Sequence, residues 1–391
     1  MPILFLFVLV PNLAIAADVL VFAEVLFRHG ARAPSAAFTN ATYAQHFPRG
    51  LGELTDRGFE NSHRLGRLLA KRYVSTGFLD AKMVSKQMYW RSVNLARCLS
   101  SAATVGAAMF RDYGRHLHVP VNTQETGEHL LNYDMNQCWR ETEITRETCP
   151  DYGKPDDFKT WPDYEEFVYK CLNLSSDILS NYRFRDVEAH INEYKNGLPL
   201  PDDLADNADE LEAIFTRINH FTIGAGYYHD HRKLRLKFGQ LMRVLLSDLE
   251  NAWDCHRNRK NCVVQPNFKA YSTQDWVILG VLDSFGALET TLGMRKMPNY
   301  NSMIMIELWD NEGQGEVRLL YKPDEIDETL VEGAARNCAA DASRCPIENF
   351  VKCCDDYTEH KIGEYCEPLS VGEFTRDEIA ARRRRTRYAG P

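Results

Sequence analysis

The chain is 391 residues long, 44% hydrophobic and 26% charged, which supplies a large buried core and a length that suggests two domains. That apolar content excludes a disordered chain. A formal net charge of -9 leaves no global positive field for nucleic acid, so any affinity for anions must be local.

Residues Met1 to Ala16 are apolar and close with Ala14-Ile15-Ala16, the small-x-small ending of a secretory signal cleaved before Ala17. An uncleaved anchor is the alternative, although the apolar core ahead of Pro11 is short for a membrane span. No later apolar run is long enough to cross a bilayer stably. Eleven cysteines fit an oxidising compartment, and Asn40-Ala41-Thr42 and Asn173-Leu174-Ser175 read as glycosylation acceptors. The odd count leaves at least one thiol unpaired, with Cys98, inside a predicted helix, as the candidate. Cys255 and Cys262 pair on proximity alone, and the adjacent Cys353 and Cys354 have no evident role.

The run Val19 to Leu26 reads as a buried strand of a mainly parallel sheet. It leads into Phe27-Arg28-His29-Gly30-Ala31-Arg32-Ala33-Pro34, so His29 sits where strand gives way to loop. The carboxyl ends of strands are where open α/β sheets bind ligands, and here that edge carries an imidazole flanked by guanidiniums, whose forks match phosphate. Gly30 admits close backbone approach and Pro34 stiffens the exit. A solvated basic turn is the alternative reading.

Further along, Thr55 is a predicted N-cap for a helix whose Phe59, Leu65, Leu68, Leu69 and Tyr73 share one apolar face. Val84 to Trp90 reads as the next strand, ending at Arg91-Ser92, and a helix through Leu95, Ala102, Val105 and Met109 follows. Between Val119 and Lys233 helical segments, such as Tyr164 to Ser180 and Leu204 to Phe221, replace the strands. That change reads as an inserted helical cap. His229-x-His231 and His116-x-His118 offer only two imidazoles each, too few for a metal centre, and no phosphate loop or dinucleotide loop occurs. Phe238 to Trp253 returns to helix, Phe268 to Thr273 to strand, and Gln274-Asp275 opens a helix that buries Val277, Ile278, Val281, Leu282 and Phe285. Asp275 there is either an N-cap or a functional acid. Strands Met303 to Leu308 and Val317 to Tyr321 flank a turn at Asn311-Glu312-Gly313, and the basic run Arg382 to Arg385 reads as a solvated tail, with an interaction patch or processing site as the alternative.

Arg28-His29-Gly30-Ala31-Arg32-Ala33-Pro34, the Leu-Thr-x-x-Gly of Leu54 to Gly58, and the Arg-Ser of Arg91-Ser92 together resemble the histidine acid phosphatases, a branch of the histidine phosphatase superfamily. The resemblance implies a three-layer α/β/α sandwich with a mainly parallel sheet, like that of phosphoglycerate mutase, plus an inserted helical cap. Divided on this chain, residues 1-16 are the signal peptide, 17-118 and 234-391 the catalytic domain, and 119-233 the cap that chooses the substrate. It further implies that His29 is a nucleophile, that Arg28, Arg32 and Arg91 bind phosphate, and that Arg97 matches a further arginine of the motif. Asp275 then protonates the leaving oxygen. The family carries His-Asp where this chain has Gln274-Asp275, so Gln274 takes a phosphate-binding place without a positive charge. Disulfides Cys338 to Cys345 and Cys138 to Cys366 follow from the same resemblance.

The implied activity is hydrolysis of phosphate monoesters through a phosphohistidine, with no metal and no cofactor, by a secreted enzyme, with a lysosome-like compartment as another location. Dimers are frequent in the family, so a homodimer is expected. Neither nucleic acid nor stable membrane insertion is expected. The competing reading is a weakened or inactive member that uses the anion pocket to bind phosphorylated ligands, and Gln274 is its support.

Overall fold

A computed structural model describes residues 18–358, except 83–84, 115–116, 124–129, 132, 134–137, 150–160, 175–182, 259–261, 263–265 and 342. The signal sequence, His116, Cys366 and the basic run Arg382 to Arg385 therefore lie outside the described residues.

The strands are β1 (Val19–Arg28), β2 (Met88–Ser92), β3 (Val121–Thr123), β4 (Phe268–Thr273), β5 (Met303–Asn311), β6 (Gln314–Lys322), β7 (Val331–Gly333) and β8 (Cys345–Pro346). They form one sheet in the order β3-β2-β4-β1-β5-β6-β7, with β8 beside β6. Pairing is parallel from β3 through β2 and β4 to β1, and antiparallel from β1 outward to β5, β6 and β7. Because β1, β2 and β4 run the same way, their carboxyl ends share one edge. The register sets Arg28 beside Thr273 and Ser92 beside Ser272.

The principal helices are α1 (Asp56–Leu69), α2 (Ala96–Met109), α3 (Trp139–Glu147), α4 (Trp161–Cys171), α5 (Phe184–Lys195), α6 (Ala208–Ile223), α7 (His231–Arg257) and α8 (Asp275–Phe285). On one face of the sheet Ala23, Val25 and Phe27 of β1 pack with Leu65 and Leu69 of α1 and Val105 and Met109 of α2. On the other face Phe22 and Leu26 pack with Leu241, Leu245 and Leu249 of α7 and Ile278 and Leu282 of α8. Side chains alternate along a strand, so an uninterrupted apolar run is what burial on both faces requires. Each such side chain contributes about 1.5–3 kcal/mol by leaving water, which anchors the strand that carries His29. The three layers are those expected from the sequence.

The helices between β3 and β4 form smaller apolar clusters of their own. Tyr164, Phe167 and Val168 of α4 meet Ile214, Ile218 and Phe221 of α6, and Val187 and Ile191 of α5 meet Leu204 and Leu211. Helix α7 is longer than its apolar pattern suggests, because Asp230 caps it by accepting from the Arg232 amide and the polar His231-Arg232-Lys233 turn extends it. The expected boundary between residues 233 and 234 thus falls inside α7. Among the described residues no helix is long and apolar enough to cross a membrane.

Cys98 is free and buried, and disulfides join Cys255 to Cys262 and Cys338 to Cys345, as expected. Cys149 pairs with Cys171, and Cys353 with its neighbour Cys354, two bridges that the sequence reading did not include. Cys138 is also disulfide-bonded.

Thr55 caps α1 as predicted, its hydroxyl accepting from the Gly58 amide at 3.2 Å. The first turn of α1 then lies directly on the loop after His29. A Cβ on Gly30 would stand 2.4 Å from the Gly58 carbonyl oxygen, and a Cβ on Gly58 would stand 2.1 Å from that of Ala31. Gly30 therefore admits the backbone of Gly58, a partner within the fold. Gly58→Ala should cost about 1–3 kcal/mol of stability, because two backbones must separate. A urea midpoint unchanged in that variant would contradict the close approach.

Candidate active site

At the carboxyl edge of β1, β4 and the start of α2, buried polar groups converge. His29 follows β1 directly, and its amide donates to the Thr273 carbonyl at 3.1 Å, which fixes the two strand ends against each other. The Gly30 amide donates to the Ser101 hydroxyl of α2 at 3.0 Å, and the Ser272 hydroxyl donates to the Cys98 carbonyl at 2.8 Å. Loop, helix and strand are thus tied behind the imidazole.

The His29 ring places Nδ1 2.8 Å from the Gly30 carbonyl oxygen. A carbonyl can only accept, so Nδ1 carries the proton and Nε2 presents a lone pair. Burial lowers the His29 pKa well below 6.5, and the charges of Arg28, Arg97 and Arg32 lower it further against the opposing Gly30 hydrogen bond. A neutral imidazole at acidic pH is the consequence. Since protonation inactivates only when the pH falls below that lowered value, the acidic limb of kcat/KM should lie below 6.5. NMR titration of the His29 ring checks this directly, and a ring that protonates at or above 6.5 contradicts it.

Three buried or largely buried arginines surround the imidazole, each with its Nε donor buried and, among the described residues, without a hydrogen-bond partner: Arg28, Arg32 and Arg97. Arg28 donates through Nη1 to the Pro298 carbonyl at 2.7 Å, pairs through Nη2 with Asp275 at 2.7 Å, and stacks 4.3 Å from the Tyr300 ring centroid. Arg32 donates through Nη1 to the Ala33 carbonyl at 2.9 Å and to Glu188 at 2.7 Å. Burial acts to lower its pKa, but Glu188 and Tyr300 outweigh that and the guanidinium is raised. Arg97 is lowered, by burial first and then by the charge of Arg32. Crowding of like charge in a dry site has that sign, and an anion between the guanidiniums would relieve it.

Asp275 is the first residue of α8, and Gln274, not Asp275, occupies the N-cap position. The Gln274 side chain makes no cap bond and instead accepts from Arg97 Nη2 through Oε1 at 3.1 Å. Asp275 accepts from the Trp276 amide with one oxygen and faces Arg28 with the other.

Arg91 is placed differently from the sequence expectation. It is paired in register with Tyr271 on β4, on the face that packs α7, and its charge acts on Tyr271. Side chains alternate along β2, so this strand residue projects to one layer, whereas Arg97 in the first turn of α2 returns over the sheet edge. Arg97, not Arg91, joins the group around His29. Sequence reasoning also missed Tyr300, Glu188 and Asn192, which come to the site from the segment before β5 and from α5. His229, which the sequence offered as half of a metal motif, meets Asp283 at 3.0 Å and the Tyr357 hydroxyl at 2.9 Å. Among the described residues no three His, Cys, Asp or Glu side chains group as metal ligands.

The profile of the histidine phosphatase superfamily (branch 2) matches residues 19–322, which span every strand end and arginine just described. The chain belongs to that family. Human prostatic acid phosphatase is 26% identical to it over 356 residues, covering 87% of this chain and 86% of the relative. Among solved structures, the phytase of Klebsiella sp. ASR1 superimposes with a TM-score of 0.60 at 15% identity, over 90% of this chain and 98% of that one. The apo phytase of Hafnia alvei gives 0.59 at 13% identity, over 90% and 99%. These two show a shared fold, the α/β architecture of the histidine phosphatases.

Proposed function

We propose that this histidine phosphatase superfamily member hydrolyses phosphate monoesters through a phosphohistidine formed on His29. The observation that carries the proposal is the buried His29 imidazole, its Nδ1 held by the Gly30 carbonyl so that Nε2 faces outward, set among Arg28, Arg32 and Arg97 at the sheet edge. Nε2 attacks phosphorus in line as the ester P–O bond breaks, and protonated Asp275 gives its proton to the departing alkoxide. The Asp275 carboxylate then takes a proton from water, whose oxygen attacks phosphorus. The N–P bond breaks, inorganic phosphate leaves, and His29 returns to its neutral form. The three guanidiniums neutralise the equatorial oxygens throughout. Arg97 takes the place first expected of Arg91.

Gln274 holds Arg97 but adds no charge. Charge-assisted hydrogen bonds are about twice as strong as neutral ones, so turnover should trail that of a His-Asp site by about tenfold to a hundredfold. The same residue favours a second reading, an anion-binding protein without turnover. Hydrolysis of an aryl phosphate at acidic pH, with phosphate binding measured alongside, separates the two. Binding without hydrolysis would leave only the second.

The proposal extends to organisation and location. The helices between residue 119 and the start of α7 form the cap and choose the substrate, residues 1-16 direct export, and the disulfides suit an oxidising compartment. The exposed Asn40 and Asn173 suit glycosylation in that compartment. A homodimer, frequent in the family, belongs to the same reading.

A further inference from the structure

Helix α5 contributes two buried polar residues one turn apart, Glu188 and Asn192, to the arginine cradle. Glu188 Oε1 accepts from Arg32 Nη1 at 2.7 Å and from Asn192 Nδ2 at 2.9 Å, and its Oε2 accepts from the Ser35 amide at 3.2 Å. Asn192 Oδ1 in turn accepts from the Tyr300 hydroxyl, and the Tyr300 ring lies under Arg28. Both signature guanidiniums are thereby held from a single helix outside the sheet domain. Asn196, one turn further, donates to the Arg32 carbonyl at 3.0 Å and fixes the same helix to the loop.

The arrangement also sets the charge of the site. Arg28 pairs with Asp275 and Arg32 with Glu188, while Arg97, among the described residues, is hydrogen-bonded to the neutral amide of Gln274. With His29 neutral and Asp275 carrying the proton that it gives to the leaving group, three guanidiniums stand against the Glu188 carboxylate, a net charge of two positive. A phosphate monoester dianion is balanced there. Every additional phosphate on a substrate would approach the negative Glu188 in a water-poor site, where Coulomb repulsion is poorly screened.

Resting on the proposed phosphatase activity, we infer that Glu188 is a positioning and specificity residue. It aims Arg32 and, by offsetting its charge, directs the enzyme to substrates with a single phosphate and against multiply phosphorylated ones. Glu188→Gln keeps an acceptor for Arg32 but removes the negative charge, whereas Glu188→Ala removes both.

The test compares the full chain with the two variants at pH 5, using p-nitrophenyl phosphate and inositol hexakisphosphate as substrates and inorganic phosphate as inhibitor. In Glu188→Gln the ratio of kcat/KM for the hexakisphosphate to that for the aryl ester should rise about tenfold or more, and the phosphate Ki should fall. Glu188→Ala should lose more kcat on the aryl ester than Glu188→Gln, because the guanidinium is no longer aimed. A ratio unchanged in Glu188→Gln, or Gln and Ala variants equal on both substrates, overturns the inference. Should the wild-type chain turn over neither substrate, the phosphatase reading fails, and calorimetric titration with phosphate and inositol hexakisphosphate still decides the role of Glu188. Tighter hexakisphosphate binding in Glu188→Gln then supports it, and unchanged binding overturns it.

Discussion

His29→Ala should abolish turnover of an aryl phosphate, with kcat falling by more than about 10^4-fold, the scale seen when a covalent nucleophile is removed. Inorganic phosphate should still bind, because the cradle is built from separate elements. Arg28 is held by Pro298 and Asp275, Arg32 by Ala33 and Glu188, and Arg97 by its position on α2 and its bond to Gln274. None of these contacts passes through the imidazole. Removing it also removes a neutral ring from among three positive charges, which does not weaken their pull on an anion. Loss of phosphate affinity in step with turnover would mean that His29 holds the cradle together and would argue against a separate nucleophile.

The second large effect separates two arginines six residues apart. Arg97→Ala should lower kcat/KM by about 10^2- to 10^3-fold, the cost of removing one preorganised donor from a developing negative charge. Arg97→Lys should recover part of it, since charge survives while the planar fork is lost. Arg91→Ala should change kcat/KM by less than about threefold, because Arg91 stands beside Tyr271 on the face of the sheet that packs α7. Steady-state kinetics on the three variants decide the matter. Equal losses in Arg91→Ala and Arg97→Ala would contradict the assignment.

The pair Arg91 and Arg97 also marks where sequence reading runs out. Strand β4 was legible to the residue, and β1 and the signature loop nearly so, since a doubly buried strand is a continuous apolar run and the motif is contiguous. Thr55 was legible as a cap because capping is local in sequence. Which of two arginines returns over a sheet edge depends on strand alternation and on where α2 begins, and β2 starts four residues later than its apolar pattern suggested. Glu188 could not be found this way. It meets Arg32 across 156 residues of sequence, from a helix whose buried polar residues leave no distinctive pattern. Tyr300 meets Asn192 across 108, and only the packing of α5 against the signature loop brings them together. The position of Gln274 was legible, but its partner was not. The family pattern implies a phosphate-binding place for Gln274, and its side-chain oxygen accepts from Arg97.

The central claim is that His29 Nε2 becomes bonded to phosphorus during turnover. Rapid acid-free quenching of the full chain mixed with a 32P-labelled aryl phosphate, followed by peptide mapping, reads this bond directly. The account predicts an acid-labile, base-stable label on the peptide containing His29, absent from His29→Ala and accumulating in Asp275→Asn, where water lacks its base. Label on any other residue, or turnover without a labelled intermediate in both wild type and Asp275→Asn, would contradict it.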